Sequence, residues 1–379
     1  MDQSSSTFNE TVWEEGNRIV FPVLEGDIEC DVCVIGLGGS GLTAIIELLG
    51  LGQRVAGIDA GVVGGGAAGR NGGLLLAGWS SFYHQSVEKY GRERALGLYL
   101  RTLEQRDMMI DEAPDAIRLT GSLRIASNDE EMADCRNQFE AMRADDLPVA
   151  EYIGPEGEGL MIPTDGVFNP LLRCRILAKR ATDAGAMLFE KSAALNISGS
   201  RVETANGVIN CRQVIVAVDG GLENVLPELS GRVRTARLQM IATAPTDEVK
   251  FTRPVYYRWG FEYWQQLPDR RIALGGMRDF GGDEEWTHHT IPSDAIQKSL
   301  EIFLRTKLGI QAEITHRWAA VAAFNGSGVP IIEQVRPGVW AIGSYSGTGN
   351  IIGAICGRGV AQIVVKGETS LLDELRPLP

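Results

Sequence analysis

Residues 31–59 read DVCVIGLGGSGLTAIIELLGLGQRVAGID: a strand, a glycine-rich turn, a helix and a second strand in immediate succession. Val32, Val34 and Ile35 are apolar and β-branched, as a short buried strand requires. The chain then enters GLGGSG, with Gly36, Gly38 and Gly41 at G-x-G-x-x-G spacing. Residues 42–49 read as a helix, and 54–58 as a second buried strand ending in Asp59. Gly36 lets the chain turn tightly, Gly38 lets backbone approach a pyrophosphate, and Gly41 lets helix and strand pack closely. The helix start offers unpaired N–H groups and partial positive charge to phosphates. Asp59 can accept hydrogen bonds from both hydroxyls of an adenosine ribose. With all parts in order inside one βαβ unit, the stretch reads as the site for the ADP half of a dinucleotide.

Length and composition bound the rest. A chain of 379 residues suits two closely joined domains, and 44% hydrophobic content supplies a substantial core. No apolar run reaches the roughly 18 residues of a membrane span. The polar, acidic start lacks the pattern of a signal peptide, so a cytoplasmic protein is expected. A net charge of −13 with no Lys/Arg cluster argues against nucleic acid or an anionic membrane as partner. Cys30 and Cys33 form a C-x-x-C, but they sit at or within the first strand on opposite faces and read as buried structural thiols. His84, His288, His289 and His316 show no ligand spacing, so no metal is expected. No Ser/His/Asp or Cys/His arrangement supports hydrolysis.

Beyond Asp59, residues 60–78 (AGVVGGGAAGRNGGLLLAG) are glycine-rich, and a backbone so free of side chains suits a flat ligand lying against it. Arg70 and Asn71 are the strong polar side chains there: a guanidinium can reach a pyrophosphate, and an amide can hold a ring edge. Helical patterning covers 86–112 and 129–143, with a strand at 121–126 between them. The Gly/Pro/Glu-rich 148–165 reads as a passage between domains. Asn169-Pro170 opens a helix through Ala184. Strands follow at 186–189 and 193–197, then a tight turn at Asn206-Gly207 and a buried strand over 211–218 ending at Asp219-Gly220-Gly221. Residues 232–244 and 251–276 alternate as antiparallel strands do. A strand at 338–343 leads through SYSGTGN into a helix from Ile351 to about Val365, whose start would stabilise negative charge placed beside it.

Residues 256–264, YYRWGFEYW, are the densest aromatic cluster. As one strand, Tyr257, Trp259, Phe261 and Tyr263 share a face, with Tyr256, Arg258, Glu262 and Trp264 on the other. The cluster is either sheet core or the wall of a pocket for an apolar or cationic substrate. Arg258, Glu262, Arg278 and Asp279 are charged residues that can face such a pocket. Arg258 and Arg278 as carboxylate clamps would favour an amino acid.

These motifs together resemble the D-amino-acid-oxidase-type family of FAD-dependent amine oxidoreductases, in its γ-glutamylputrescine-oxidase-like branch. The resemblance runs from about Val12 onward: VWEEG, DVCVIGLGGSG, GRNGG at 69–73, FNP before a helix, VIVAVDGG, the LGG of 274–276, and GSYSGTGN before the last helix. It implies an α/β plus α+β protein: a Rossmann-like FAD-binding domain (28–80, 150–230 and 320–379), a substrate domain on an antiparallel sheet (81–149 and 231–319), and an N-terminal extension (1–27). It places FAD contacts at Gly36, Gly38, Gly39, Gly41, Asp59 and Ala60. It adds Arg70, Asn71, Gly72 and Gly73 at the flavin edge, Ala194 at the adenine, and Ala217 and Val218 at a strand end. Gly347, Thr348, Gly349 and Asn350 form the helix cap below the ring. The chain departs from the family in having Asp59 for a frequent Glu and Thr348 for a frequent His. It also lacks the Asp and final Gly of D-x-x-P-x-x-G at 327–333. No His or Cys stands where some relatives tether the cofactor, so noncovalent FAD is expected.

The reaction so implied is oxidation of a C–H bond next to an amine, with hydride passing to flavin and the imine hydrolysing. Dioxygen is the expected acceptor; a dehydrogenase feeding a quinone or partner is the alternative. An NAD-dependent dehydrogenase would share the first βαβ unit but not GRNGG or SGTGN, and a noncatalytic FAD-binding subunit would share both. Candidate substrate-pocket residues are Tyr257, Trp259, Tyr263, Arg258 and Arg278.

Overall fold

Two large sheets organise the chain in the computed structural model, which describes residues 7–14 and 18–376. The first has six strands in the order Met187–Phe189, Val55–Ile58, Val32–Ile35, Gln213–Val216, Val339–Gly343, Ile331–Arg336. The first five run parallel and the last antiparallel to its neighbour. Alternation assigns the faces. Val32, Val34 and Ile215 pack with Leu42, Ile45, Leu177 and Ile355, from the helices Gly39–Gly50, Pro170–Asp183 and Ile352–Lys366. Cys33, Ile35, Val214 and Val216 pack on the opposite side with Val202, Ile209 and Leu222. This is the Rossmann-like half that the glycine pattern implies.

The second sheet has nine strands: Thr7–Phe8, Ile314–Phe324, Arg234–Thr243, Ile272–Gly276, Glu262–Gln266, Val255–Tyr257, Ser122–Ile125, Gly157–Ile162, Ala150–Gly154. It is antiparallel except where Thr7–Phe8 meets Ile314–Phe324 and where Val255–Tyr257 meets Ser122–Ile125. Helix Asp294–Thr306 covers one face, with Ile296, Leu300 and Leu304 against Ile241, Val255, Trp264 and Leu274. The other face lines the cavity described below.

Several sequence expectations shift. Residues 148–165 are not a bare passage: Gly157–Ile162 pairs with Ser122–Ile125 on one side and on the other with Ala150–Gly154, the edge of the nine-stranded sheet. The helix expected over 86–112 is two, Tyr83–Tyr90 and Arg92–Glu112, broken at Gly91 with φ of 85°. The strand expected at 193–197 is Asn196–Ser198. Cys30 precedes the strand rather than alternating within it, so Cys30 and Cys33 meet in one core cluster with Cys211. All six cysteines are buried and free. Of the VWEEG stretch, Glu15 and Gly16 lie outside the described residues. Among the described residues, no helix is long and apolar enough to cross a membrane and no His/Cys/Asp/Glu cluster could hold a metal.

Candidate cofactor and substrate site

The glycine turn has no room for side chains. A Cβ on Gly41 would stand 1.9 Å from the Gly36 carbonyl oxygen, and one on Gly36 would stand 2.7 Å from that of Ala217. Gly36 also has φ of 106°, the left-handed region that favours glycine. Ala217 and Val218 thus sit directly against the turn, at the end of strand Gln213–Val216. Helix Gly39–Gly50 begins with Gly38 as an uncapped N-cap and no acid in its first turn, leaving its first N–H groups open to an anion. Asp59 accepts the Leu37 N–H at 2.8 Å and the Gly61 N–H at 2.7 Å, one on each carboxylate oxygen. Each oxygen keeps a lone pair for a ribose hydroxyl. Burial pushes the Asp59 pKa up, opposed by those two N–H bonds. Ala60 follows it, exposed, and Ala194 lies two residues past Ser192, whose N–H donates to the Asp59 carbonyl at 2.8 Å.

The second glycine loop is pinned by groups the sequence did not advertise. Trp13 Nε1 donates to the Asn71 carbonyl at 2.9 Å, Trp318 Nε1 to that of Arg70 at 2.8 Å, and Gln265 Nε2 to that of Gly72 at 2.6 Å. Asn71 folds its amide back on Ala67 and Ala68, and its oxygen accepts the Gly73 N–H at 2.9 Å. Arg70 does not turn toward a phosphate: its guanidinium donates to Ala319 O at 2.9 Å, and to Asn9 O and Oδ1 at 2.8 and 2.7 Å. It ties the loop to the nine-stranded sheet. Gly72 is needed because a Cβ there would meet the Tyr263 ring at 2.6 Å.

A third loop closes the site. Ser344, Ser346 and Gly347 all have positive φ, a concentration of backbone strain just before helix Ile352–Lys366. Asp219 holds this loop, accepting the Tyr345 N–H and the Ala323 N–H at 3.1 Å each. Burial raises the Asp219 pKa to about 6. Thr348 turns its hydroxyl onto Tyr345 O at 2.7 Å, and Asn350 Nδ2 donates to Leu74 O at 2.9 Å. The Ser346 Oγ is buried without a partner among the described residues. Gly349 lies against the Tyr345 ring.

Between these loops and the nine-stranded sheet lies a cavity of about 310 Å³. Asn71, Gly72, Ser346, Gly347, Thr348 and Asn350 form one wall, while Tyr256, Tyr263, Trp259, Phe261 and Phe324 form the aromatic side. Arg124 and Arg278 also line it, and no carboxylate does. The expected facing of the aromatic cluster is corrected. Residues 256–264 are a hairpin, in which Tyr256 pairs with Tyr263 and Tyr257 with Glu262. Directly opposed residues share a face, so Tyr256 joins Tyr263 at the cavity while Tyr257 packs away from it on Trp264 and Phe303. The tip residues Arg258, Trp259 and Gly260 all have positive φ, which resets the alternation. Trp259 is held by Nε1 to Asp134 Oδ2 at 2.8 Å. Arg258 is taken up by Glu262 and Asp279, and these two carboxylates raise its pKa. It is no substrate clamp. Arg278 instead lies beside the edge-to-face pair of Trp286 and Phe324, its Cζ 5.0 and 4.9 Å from their ring centroids, and burial pulls its pKa down. Tyr256 and Arg124 were missed; hairpin register and strand order, neither legible locally, bring them in.

Comparison with known proteins gives this arrangement a family. A model of the FAD dependent oxidoreductase family (DAO) matches residues 31–363. The chain is 27% identical over 394 residues to a probable oxidoreductase OrdL of Rhizobium meliloti (strain 1021), covering 95% of this chain and 89% of that protein. It is 26% identical over 389 residues to the γ-glutamylputrescine oxidoreductase of Escherichia coli (strain K12), with the same coverage of 95% and 89%. The crystal structure of glycine oxidase from Geobacillus kaustophilus shares the fold, with a TM-score of 0.74 at 19% identity over 90% of this chain and 96% of that one. The residues present fit FAD: a turn stripped of side chains, a carboxylate with free lone pairs, and an orphaned Ser346 hydroxyl on the wall that the glycine loops share. On the family match and this fit, the chain belongs to the DAO family and is an FAD-dependent oxidoreductase.

Proposed function

We propose that the protein oxidises the C–N bond of an amine that carries a carboxylate, an amino acid or an N-substituted relative, with FAD held noncovalently and dioxygen as electron acceptor. The observation that carries this reading is the single cavity whose one wall is the cofactor loops and whose other walls are aromatic rings and two arginines, without a carboxylate. Such a lining disfavours a purely cationic substrate and suits an anionic one. Similarity to a γ-glutamylputrescine oxidoreductase and a glycine oxidase supports amine or amino-acid chemistry. Noncovalent binding is supported by the absence of His from residues 69–73 and of Cys from the segment near Ala320. Six free cysteines suit a cytoplasmic setting. We assign the parallel sheet and its helices to the cofactor, and the nine-stranded sheet to the substrate.

The chemistry supplied by FAD is acceptance of a hydride from the carbon beside the amine nitrogen, after which the imine hydrolyses in water. The chain's own residues orient. Arg278, held beside the Trp286 and Phe324 rings on the cavity lining, offers its N–H groups to a substrate carboxylate. Tyr256, Tyr263, Trp259 and Phe324 exclude water around the reacting carbon. With no carboxylate on the lining and two guanidiniums in it, the ammonium form is disfavoured. The amine is therefore held in the neutral state from which hydride can leave. No protein base is required; position over the cofactor wall does the work.

An anaerobic absorbance scan against amines and amino acids tests the reading. Bleaching by a carboxylate-bearing amine, with colour returned by air, is the expected result. A flavin-loaded protein reduced only by amines lacking a carboxylate would overturn the substrate reading. Bleaching without recovery in air would replace the oxidase by a dehydrogenase.

A further inference from the structure

Two stretches of chain pass side by side from a small sheet into the parallel sheet. The small sheet has four strands in the order Asn196–Ser198, Arg201–Glu203, Val208–Asn210, Ile28–Glu29. Its last two run parallel, with Ile28 opposite Ile209 and Glu29 opposite Asn210. The same two chains pair again in the large sheet, where Val32 stands opposite Gln213 and Cys33 opposite Val214. The offset is identical on both sides of the junction, so Cys30 stands opposite Cys211, and Asp31 opposite Arg212. Contacts at the junction agree. The Cys30 N–H donates to Asn210 O at 3.0 Å and the Arg212 N–H to Asp31 O at 2.9 Å, while Arg212 Nε lies 3.8 Å from Asp31 Oδ1.

Side chains alternate along each chain, so Cys30 and Cys211 turn inward with Ile209, into the cluster that also holds Val202 and Val214. Their thiols are hydrogen-bonded to each other. Neighbouring strands lie about 4.8 Å apart, within the roughly 4.4–6.8 Å of Cα separation that a disulfide spans. The two sulfurs also differ from the rest in access. Cys30 and Cys211 are 4% and 9% exposed, whereas the other four cysteines are 1% exposed or less. The hydrogen bond from Cys211 pulls the Cys30 pKa below the ordinary thiol value, against burial, with a smaller contribution from the Ala56 backbone. Burial instead drives the Cys33 pKa well up. Cys30 is thus the sulfur set to react first, and Cys211 the one set to resolve it.

We propose that Cys30 and Cys211 are a redox pair, closed to a disulfide by hydrogen peroxide and reopened by thiols, that staples the four-stranded sheet to the first strand of the parallel sheet. The Cys30 thiolate attacks one peroxide oxygen, the O–O bond breaks, and hydroxide leaves behind a sulfenic acid. The Cys211 sulfur then attacks the Cys30 sulfur, the S–O bond breaks, and the oxygen leaves as water with the Cys211 proton. Two thiols are oxidised to one disulfide and one peroxide is reduced to two waters. That turnover itself supplies the peroxide rests on the dioxygen reading above; the thiol chemistry does not.

FAD-loaded enzyme freed of reductant is treated with hydrogen peroxide, alkylated under denaturing conditions and mapped by mass spectrometry. The expected result is the loss of two of the six free thiols, one linked peptide pair joining Cys30 to Cys211, and recovery of all six with dithiothreitol. The oxidised enzyme should also unfold several degrees higher than the reduced one, with flavin content unchanged. Cys30→Ser and Cys211→Ser should each abolish both changes, and Cys33→Ala should keep them. Six intact thiols overturn the proposal, as does a link through Cys33, a sulfinic acid formed without any link, or a link that leaves the unfolding temperature where it was. Mapping of the native enzyme decides the outcome even where a serine variant fails to fold. Peroxide release during turnover is scored separately with a peroxidase-coupled dye. No release sinks dioxygen as the acceptor and leaves the cysteine pair standing, whereas release by an enzyme whose thiols ignore added peroxide does the reverse.

Discussion

At Gly41 a single methyl group would stand 1.9 Å from a backbone oxygen, and nothing in that turn can yield without moving strand Val32–Ile35. Gly41→Ala should therefore purify with little or no flavin, read as the ratio of flavin to protein absorbance. Gly50→Ala, at the open end of the same helix, should retain it. Full retention in Gly41→Ala would show that the turn does not carry the cofactor. Asp165 supplies a pH prediction. Burial raises its pKa from 3.8 to about 6, opposed by the hydrogen bonds from Ser122 Oγ and the Ala77 N–H. A carboxyl whose folded pKa is raised contributes stability that is full below about 3.8 and lost as pH climbs through about 6. Asp165→Asn keeps the shape and carries no charge, so its stability relative to the native protein should grow between pH 5 and pH 8. Over the whole titration the limit is about 3 kcal/mol, the rise of roughly two units converted at about 1.4 kcal/mol each, and about half of it falls between pH 5 and pH 8. Urea unfolding at both pH values measures it, and a difference independent of pH would refute the buried-charge account. Residues of this kind divide by legibility. Gly36, Gly38 and Gly41 could be read from spacing because their constraint is local. Tyr256 and Arg124 could not, because register and ring stacking decide where they point.

The element that most departs from expectation is the hairpin Val255–Tyr257 to Glu262–Gln266. Alternation along 256–264 reads as one strand until three consecutive positive-φ residues turn it at Arg258, Trp259 and Gly260. Only Gly260 among the three is a residue for which that conformation is cheap, and a Cβ on it would fall 1.8 Å from the Tyr256 ring. Gly260→Ala should displace the Tyr256 ring from the cavity, raising KM several-fold while flavin content stays at the native ratio. Steady-state kinetics on the best substrate read the split; an unchanged KM would mean that Tyr256 does not shape the pocket. The parallel sheet was legible because each βαβ unit is contiguous. The nine-stranded sheet was not, because its neighbours arrive from residues near 7, 122, 150, 234, 255 and 314. Pairing over such separations leaves no periodic trace beyond the strands themselves.

Across the whole molecule, four helices meet at one buried charge cluster. Arg358, on Ile352–Lys366, reaches Glu47 on Gly39–Gly50 at 2.9 Å and Glu112 at the end of Arg92–Glu112 at 2.6 Å. Arg173 on Pro170–Asp183 lies 3.9 Å from the same Glu112, and Gln105 accepts from Arg358 Nε at 3.3 Å. The cluster joins the helix that begins at the glycine turn to the helix that begins behind the Gly347 loop, and so fixes the two cofactor loops relative to each other. Arg358 is 7% exposed, so deleting it strands two carboxylates in a poorly solvated site. Arg358→Met should cost about 3 to 5 kcal/mol in urea unfolding, the range for breaking a buried ion pair from one side. Because that loss comes from unpaired charge rather than lost packing, adding Glu112→Gln to Arg358→Met should recover part of it. A double variant no more stable than the single one would mean the arginine acts by filling space. In that case the cluster would not be the electrostatic clasp that holds the two loops in register.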